Sequence, residues 1–214
     1  MPPTTIREPP PLDSFTSLAE HQSQTPTTFF GAKPVLHHHI PSGRALIQRD
    51  QTSTLPIFTA HDGPAQVDGS DHRVETVDVF VSSEYANLQP PPHDDETRPN
   101  VYFDRNLTLF NAASKLGVSI PYPSISLHAI QRLSDPADSS QEVQGLYMQL
   151  ELSDPSYEED EPEIIELTLL PPSQPSDPAA ADIQALFTAV SNCSNLHPDP
   201  TSQEDEDMED GDNV

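Results

Sequence analysis

A single cysteine, Cys193, stands in 214 residues, so no internal disulfide can form and no Cys-based zinc site can be assembled. The sequons Asn106-Leu107-Thr108 and Asn192-Cys193-Ser194 carry little weight, because glycosylation needs a secretory context that the sequence does not suggest. Positive charge is scarce as well: nine Lys and Arg face 35 Asp and Glu, for a formal net charge of -26. Such a chain repels phosphate backbones and anionic lipid surfaces, which are held by clustered Lys and Arg. The expected partner is therefore basic or apolar, and no direct nucleic acid binding is expected. Long apolar runs are missing too. None approaches the roughly 20 residues that cross a bilayer, and the Pro-rich start has neither the basic region nor the apolar stretch of a signal peptide. A soluble intracellular protein with no membrane span is expected.

Proline is plentiful. Its 25 copies, with a hydrophobic content of 34%, mean that part of the chain is too polar and too interrupted to bury a core. Residues 1–32, rich in Pro, Thr and Ser, are expected to form a disordered leader. Residues 197–214, with Glu204, Asp205, Glu206, Asp207, Glu209, Asp210 and Asp212, are expected to form a disordered acidic tail. The core falls to residues 33–196, with loops or insertions at about 50–72, 84–105 and 153–163.

Within that span the apolar pattern has a period of two. Residues 33–48 suggest two short strands around the turn-forming Pro41-Ser42-Gly43, and Val77, Val79 and Val81 share one strand face. Asn106 to Asn111 is again strand-like, and the triple proline between these two strands marks an insertion within a hairpin. Leu146, Met148, Leu150 and Leu152 predict another strand; Ile165, Leu167 and Leu169 predict the next.

The stretch GVSIPYPSISLHAIQR, residues 117–132, changes phase: Val118, Ile120 and Tyr122 lie at even positions, Ile125, Leu127 and Ala129 at odd ones. A change of parity marks a bulge, corner or reversal. Pro121 and Pro123, which lack the N–H of a ladder bond, place the corner between them.

The period then becomes helical, with Ile183, Leu186, Phe187 and Val190 on one stripe, Asp177 as the expected N-cap and Pro178 as the first helical residue. Six or seven short strands and one closing amphipathic helix describe a mainly β chain, a two-sheet barrel or sandwich of the pleckstrin-homology-like plan.

Two motifs in order give a resemblance. GVSIPYPSISLHAI, and ALFTAVSNCSNLHPDP at residues 185–200, resemble the central signature and last helix of the pICln family, the regulators of volume decrease after cell swelling, also known as nucleotide-sensitive chloride conductance regulators. The likeness runs over about 77–212 and more weakly over 33–48. The insertion at 84–105 and the longer leader depart from the family, and animal members continue beyond the acidic tail. The resemblance implies an assembly chaperone of the cytoplasm and nucleus that holds Sm proteins, the ring-forming subunits of spliceosomal ribonucleoproteins. It also implies an arginine methyltransferase complex, the methylosome, as a further partner.

Within the fold that the resemblance implies, the strand after the corner lies at a sheet edge, whose free N–H and C=O groups can pair with another chain as ring subunits pair with each other. The expected site is Ser124, Ser126, His128, Ile130 and Arg132. Ser126, His128 and Ile130 face outward in this reading, while Ile125, Leu127 and Ala129 anchor the strand. The acidic tail adds a contact for basic surfaces. A purely structural role for the strand, and a purely solubilising one for the tail, stay open.

The three histidines His37, His38 and His39 alternate faces along a strand and lack the Cys or nearby carboxylate of a metal site, so no metal is expected. No nucleophile and base pattern, Gly-rich phosphate loop or paired carboxylates stand out, so neither catalysis nor a cofactor is expected. Two other readings compete with the chaperone. One is a phosphoinositide-binding module, for which Lys33, Arg44, Arg49, Arg73, Lys115 and Arg132 are too scattered; the other is an indirect regulator of volume or chloride conductance.

Overall fold

The alternation of Val77, Val79 and Val81 is realised as predicted: all three are buried on one face of a strand, and the neighbouring strands repeat the device. The structure, a computed structural model, describes residues 3–23, 33–59, 71–83, 106–152, 164–173 and 182–195. The described strands are β1 (Thr4–Ile6), β2 (Thr16–Ser17), β3 (Val35–Gln48), β4 (His72–Ser83), β5 (Asn106–Asn111), β6 (Leu116–Pro121), β7 (Ile125–Asp135), β8 (Asp138–Glu151) and β9 (Ile164–Leu170). The helices are α1 (Leu18–Ser23), α2 (Pro56–Thr59) and α3 (Ile183–Asn195). The chain is mainly β, with one long helix among the described residues.

The strands form one hydrogen-bonded sheet in the order β1-β6-β5-β4-β3-β9-β8-β7, and β2 pairs in parallel with β3 off this path. Instead of two separate sheets, there is a single antiparallel ladder that curls without closing. Its two halves meet all the same: Val79, Leu109 and Val118 share one core cluster with Leu146, Met148, Leu167 and Leu169. α3 packs against β3, β4, β7 and β8 across the mouth between them.

β3 makes the curl possible. Two short strands around Pro41-Ser42-Gly43 were expected, but the chain runs on as one 14-residue strand with a bulge between Ile40 and Gly43. Pro41 has no N–H to pair, Ser42 adopts a φ of 55°, and the Ser42 N–H donates to Asp78 Oδ1 at 2.8 Å. Beyond the bulge, Arg44 to Ile47 pair with β4 on one side and β9 on the other, so one strand carries the sheet round the bend.

Two segments expected without structure carry some. Part of the region 50–72 seals one end of the core: Leu55, just before α2, and Ile57 and Phe58 within it are buried, without any strand period that would advertise them. Part of the proposed leader lies on the sheet, as β1 beside β6, β2 beside β3, and α1. Hydrogen bonds to β6 and β3 supply what the Pro-rich composition could not. The segments 84–105 and 153–163 and the acidic tail lie outside the described residues.

α3 buries Ile183, Leu186, Ala189, Val190 and Cys193 and half-buries Phe187, which is the predicted stripe. Burying each large aliphatic side chain fully contributes about 1.5–3 kcal/mol. The cap differs from expectation. Asp182 Oδ1 accepts the N–H groups of Gln184 and Ala185 at 2.9 and 3.3 Å, whereas Asp177 and Pro178 lie outside the described residues.

Candidate partner-binding edge

The phase change in GVSIPYPSISLHAIQR is built in two steps. β6 ends at Pro121, a 3-10 turn over Tyr122–Ser124 carries the chain round a corner, and β7 starts at Ile125. Tyr122 enters the core almost completely (1% exposed), and its hydroxyl reaches the carbonyl oxygens of Ser82 at 3.2 Å and Asn106 at 3.3 Å. Burial, with Cys193 beside it, pushes the phenol well above its ordinary pKa, so the group stays a neutral donor.

The second step is a β-bulge. Ile125 pairs with Leu150 but Leu127 pairs with Gln149, which leaves Ser126 as the extra residue on β7. Ser126 is exposed, with its Oγ 3.3 Å from the Gln149 carbonyl oxygen. One inserted residue inverts every side chain after it.

The expected orientation of β7 is therefore reversed beyond Ser126. Leu127 (45% exposed) and Ala129 face solvent rather than the core. His128 and Ile130 are half-buried and face inward: Ile130 packs on the core, and the His128 ring lies 5.3 Å from that of Phe187 with Nε2 2.8 Å from Ser191 Oγ. Burial lowers the His128 pKa below its ordinary value. Ser124 is buried in the turn, while Arg132 is exposed near the far end of the strand. Of the five expected contact residues, Ser126 and Arg132 alone are open to solvent. Alternation gave no warning, because a bulge adds a residue without leaving an apolar mark.

Both sides of the edge are now defined. β7 is the last strand of the ladder, with β8 on one side and no described strand on the other. On the outer face, Leu127 stands in a row with Gln149 and Glu166, and Ala129 in a row with Tyr147 and Thr168. Gln149 Nε2 donates to the Tyr147 hydroxyl oxygen at 2.9 Å, and Gln48 Nε2 donates to Glu166 Oε2 at 2.8 Å. The surface beside the edge is thus a small apolar step backed by amide and carboxylate groups.

The far end of β7 is clasped. Arg44 of β3, though 7% exposed, holds Asp135 through both guanidinium nitrogens, with Nη2 3.1 Å from Oδ2, and donates from Nε to the Pro171 carbonyl at 2.9 Å. These hydrogen bonds keep the Asp135 carboxyl below its ordinary pKa. A charged residue inside the apolar run of residues 43–47 was the available sequence signal for this clasp.

Two of the three histidines have ring partners, while His38 Nε2 is buried without a described hydrogen-bond partner. His37 Nε2 lies 2.7 Å from Ser83 Oγ, the His39 ring stacks on Phe80 at 4.6 Å, and burial lowers the pKa of both His38 and His39. Among the described residues, no group of three or more His, Cys, Asp or Glu side chains converges. No described helix is long and apolar enough to cross a membrane.

Fold and site together define a class: a curled single-sheet β protein with a helix across its mouth and, among the described residues, one sheet edge without a second strand. The sequence profile described as regulator of volume decrease after cellular swelling matches residues 102–214, and the chain belongs to that family, the pICln family. Relatives include the methylosome subunit pICln of Mus musculus, 42% identical over 100 residues, which are 44% of this chain and 39% of the mouse protein. Protein LOT5 of Meyerozyma guilliermondii is 34% identical over 110 residues, 47% of this chain and 40% of that protein. The matched stretch is thus about two fifths of the length of these curated relatives. A chain of the solved structure "The 8S snRNP Assembly Intermediate" superposes with a TM-score of 0.42 and 16% identity, over 79% of this chain and 89% of that one. That likeness is too loose to define the fold, which rests on the strand order above.

Proposed function

We propose that the protein is a non-enzymatic assembly chaperone that holds Sm proteins by presenting β7 as a substitute ring subunit. The observation that carries this reading is the β7 edge, which no described strand covers, with Leu127 and Ala129 turned outward beside it. Sm rings grow by strand-to-strand pairing, so a free edge with a short apolar step offers a subunit both ladder bonds and side-chain burial. Family membership, and relatives named for the methylosome, support the same reading and add an arginine methyltransferase complex as the assembly to which the bound Sm proteins pass. Such work belongs to the cytoplasm and nucleus.

The acidic tail is the second arm of the proposal. Glu204, Asp205, Glu206, Asp207, Glu209, Asp210 and Asp212 attract basic Sm surfaces and compete there with RNA phosphates. Exposed charges are screened beyond about 10 Å at 0.1 M salt, so this share of binding falls as salt rises. Phosphate-rich lipid is the poorer partner for a chain of net charge -26.

A pulldown on recombinant Sm heteromers tests the reading, using wild type, a chain ending at Pro200, and a Leu127→Lys, Ala129→Lys double variant. Loss of binding in the double variant and heightened salt sensitivity in the wild type relative to the shortened chain are expected. Wild-type binding at neither low nor high salt would remove the chaperone reading and leave the volume regulation for which the family is described.

A further inference from the structure

The ladder has two ends, and they are finished differently. At β7 no described strand covers the edge; at β6 it is occupied by β1, through the pairs Thr4 with Ser119, Thr5 with Val118 and Ile6 with Gly117. The occupant is slight. Thr4 and Thr5 are exposed and Ile6 is half-buried, whereas on its other side β6 pairs with β5 from Leu116 to Pro121. We propose that β1 is a displaceable edge guard, and that when it lifts, two copies of the chain pair antiparallel through β6.

The arm that carries β1 is anchored elsewhere. Phe15 stacks on Phe80 at 6.3 Å, the Thr16 N–H donates to the Pro34 carbonyl at 2.8 Å, and Lys33 Nζ donates to the Asp13 carbonyl at 2.8 Å. Between that anchor and β1 lies Pro9-Pro10-Pro11. Three prolines form a stiff, extended spacer, so β1 can leave β6 without the anchor leaving β4.

The edge that β1 vacates stays in shape. Val118 and Ile120 are fixed in the core at 1% and 0% exposure, so β6 keeps its extended form and its register with β5. On its outer face Gly117 and Ser119 are small and uncharged. A Cβ at Gly117 would lie 2.6 Å from Ile6 Cγ1, 2.7 Å from the Leu109 carbonyl oxygen and 2.8 Å from Phe110 Cδ2, so glycine leaves Ile6 room beside the Phe110 ring, and a second strand meets the same opening once Ile6 is gone. An antiparallel pair on a two-fold axis sets β6 against itself, and Gly117 and Ser119 offer neither bulk nor charge to oppose it. The net charge of -26 keeps whole copies apart at low salt, so the pairing shows itself where salt screens that repulsion.

The experiment compares the full chain with its Thr4→Pro, Thr5→Pro variant at raised salt. Light scattering and sedimentation follow mass, and amide hydrogen exchange follows Val118 and Ser119. Self-association at least about tenfold tighter in the variant is expected, with whichever of the two amides points away from β5 protected only in the associated form. Adding Ser119→Glu sets two carboxylates across the axis and is expected to abolish the association. A variant that stays as monomeric as the wild type overturns the proposal. So does association that leaves that β6 amide unprotected or survives Ser119→Glu. Tighter capture of a foreign strand in place of self-association also overturns it.

Discussion

β6 and β7 lie on either side of one Pro-Tyr-Pro corner and come from one continuous motif, yet they obey its pattern to different degrees. β6 has a strand on each side and one face in the core, and every parity expectation for it holds: Val118 and Ile120 are buried. β7 has one described neighbour, takes up an extra residue at Ser126, and turns its expected anchors Leu127 and Ala129 outward. Where a strand is paired on both sides it cannot gain a residue without breaking two ladders, and β3 accordingly takes its bulge between Ile40 and Gly43, where β4 is its one described partner. An edge strand breaks only one ladder, and there a bulge re-aims side chains at modest cost.

The most severe way to break the comparison is to empty the corner that both strands share. Tyr122→Ala is expected to destabilise the fold by about 3–5 kcal/mol, the range for removing a large buried aromatic side chain. Tyr122→Phe keeps the ring and is expected to cost about 1 kcal/mol, from the lost hydrogen bonds to Ser82 and Asn106. Urea denaturation of both variants separates packing from hydrogen bonding.

Releasing the clasp at the far end of β7 comes next. Asp135→Ala leaves the buried Arg44 guanidinium without its carboxylate and is expected to cost about 1–3 kcal/mol. Arg44 lowers the folded pKa of Asp135, so the unfolded chain binds this proton more readily. The contribution of the pair is therefore complete above the ordinary carboxylate pKa of about 4 and is lost as pH falls through the lower folded value. A wild type and an Asp135→Ala variant that lose stability in parallel on acidification would show that the clasp contributes little.

A milder perturbation sharpens the contact of β7 with α3. His128 is held below its ordinary pKa by burial, so folding favours the neutral ring. Its contribution is present above about pH 6.5 and declines as pH falls toward the folded pKa, where the ring charges beside Phe187. Mild acid is expected to raise amide exchange in β7 and α3 before β6 responds, and His128→Gln is expected to remove that pH dependence.

The smallest effect on the fold is expected where the sequence pattern promised a large one. Leu127→Ser and Ala129→Ser are expected to alter stability within about 0.5 kcal/mol, as exposed substitutions do. Ile120→Val, across the corner, is expected to cost about 0.5–1.5 kcal/mol. Equal losses on thermal unfolding would mean that Leu127 lies inside after all.

Most of the fold was legible because strand and helix periods are written in side chains: β4, β8, β9 and the α3 stripe follow directly from their apolar spacing. The exceptions share one cause. The bulges in β3 and β7 are backbone events with no compositional mark, α2 and the residue before it bury Leu55, Ile57 and Phe58 without a repeat, and β1 owes its place to β6. Of the site, the motif and the terminal place of its strand in the ladder were legible. Which residues look outward was not, since that depends on one extra residue between Ile125 and Leu127.

The Tyr122 hydroxyl meets the chain near where it leaves β4, at Ser82, and where it returns in β5, at Asn106. The hairpin is thus closed by a side chain from the 3-10 turn that follows β6, and its register does not depend on a tight turn. The intervening residues 84–105 are then free to vary in number, since the cost of closing a loop rises only with the logarithm of its length. A module could be spliced in between Ser83 and Asn106, and the sheet would register little more than a longer tether.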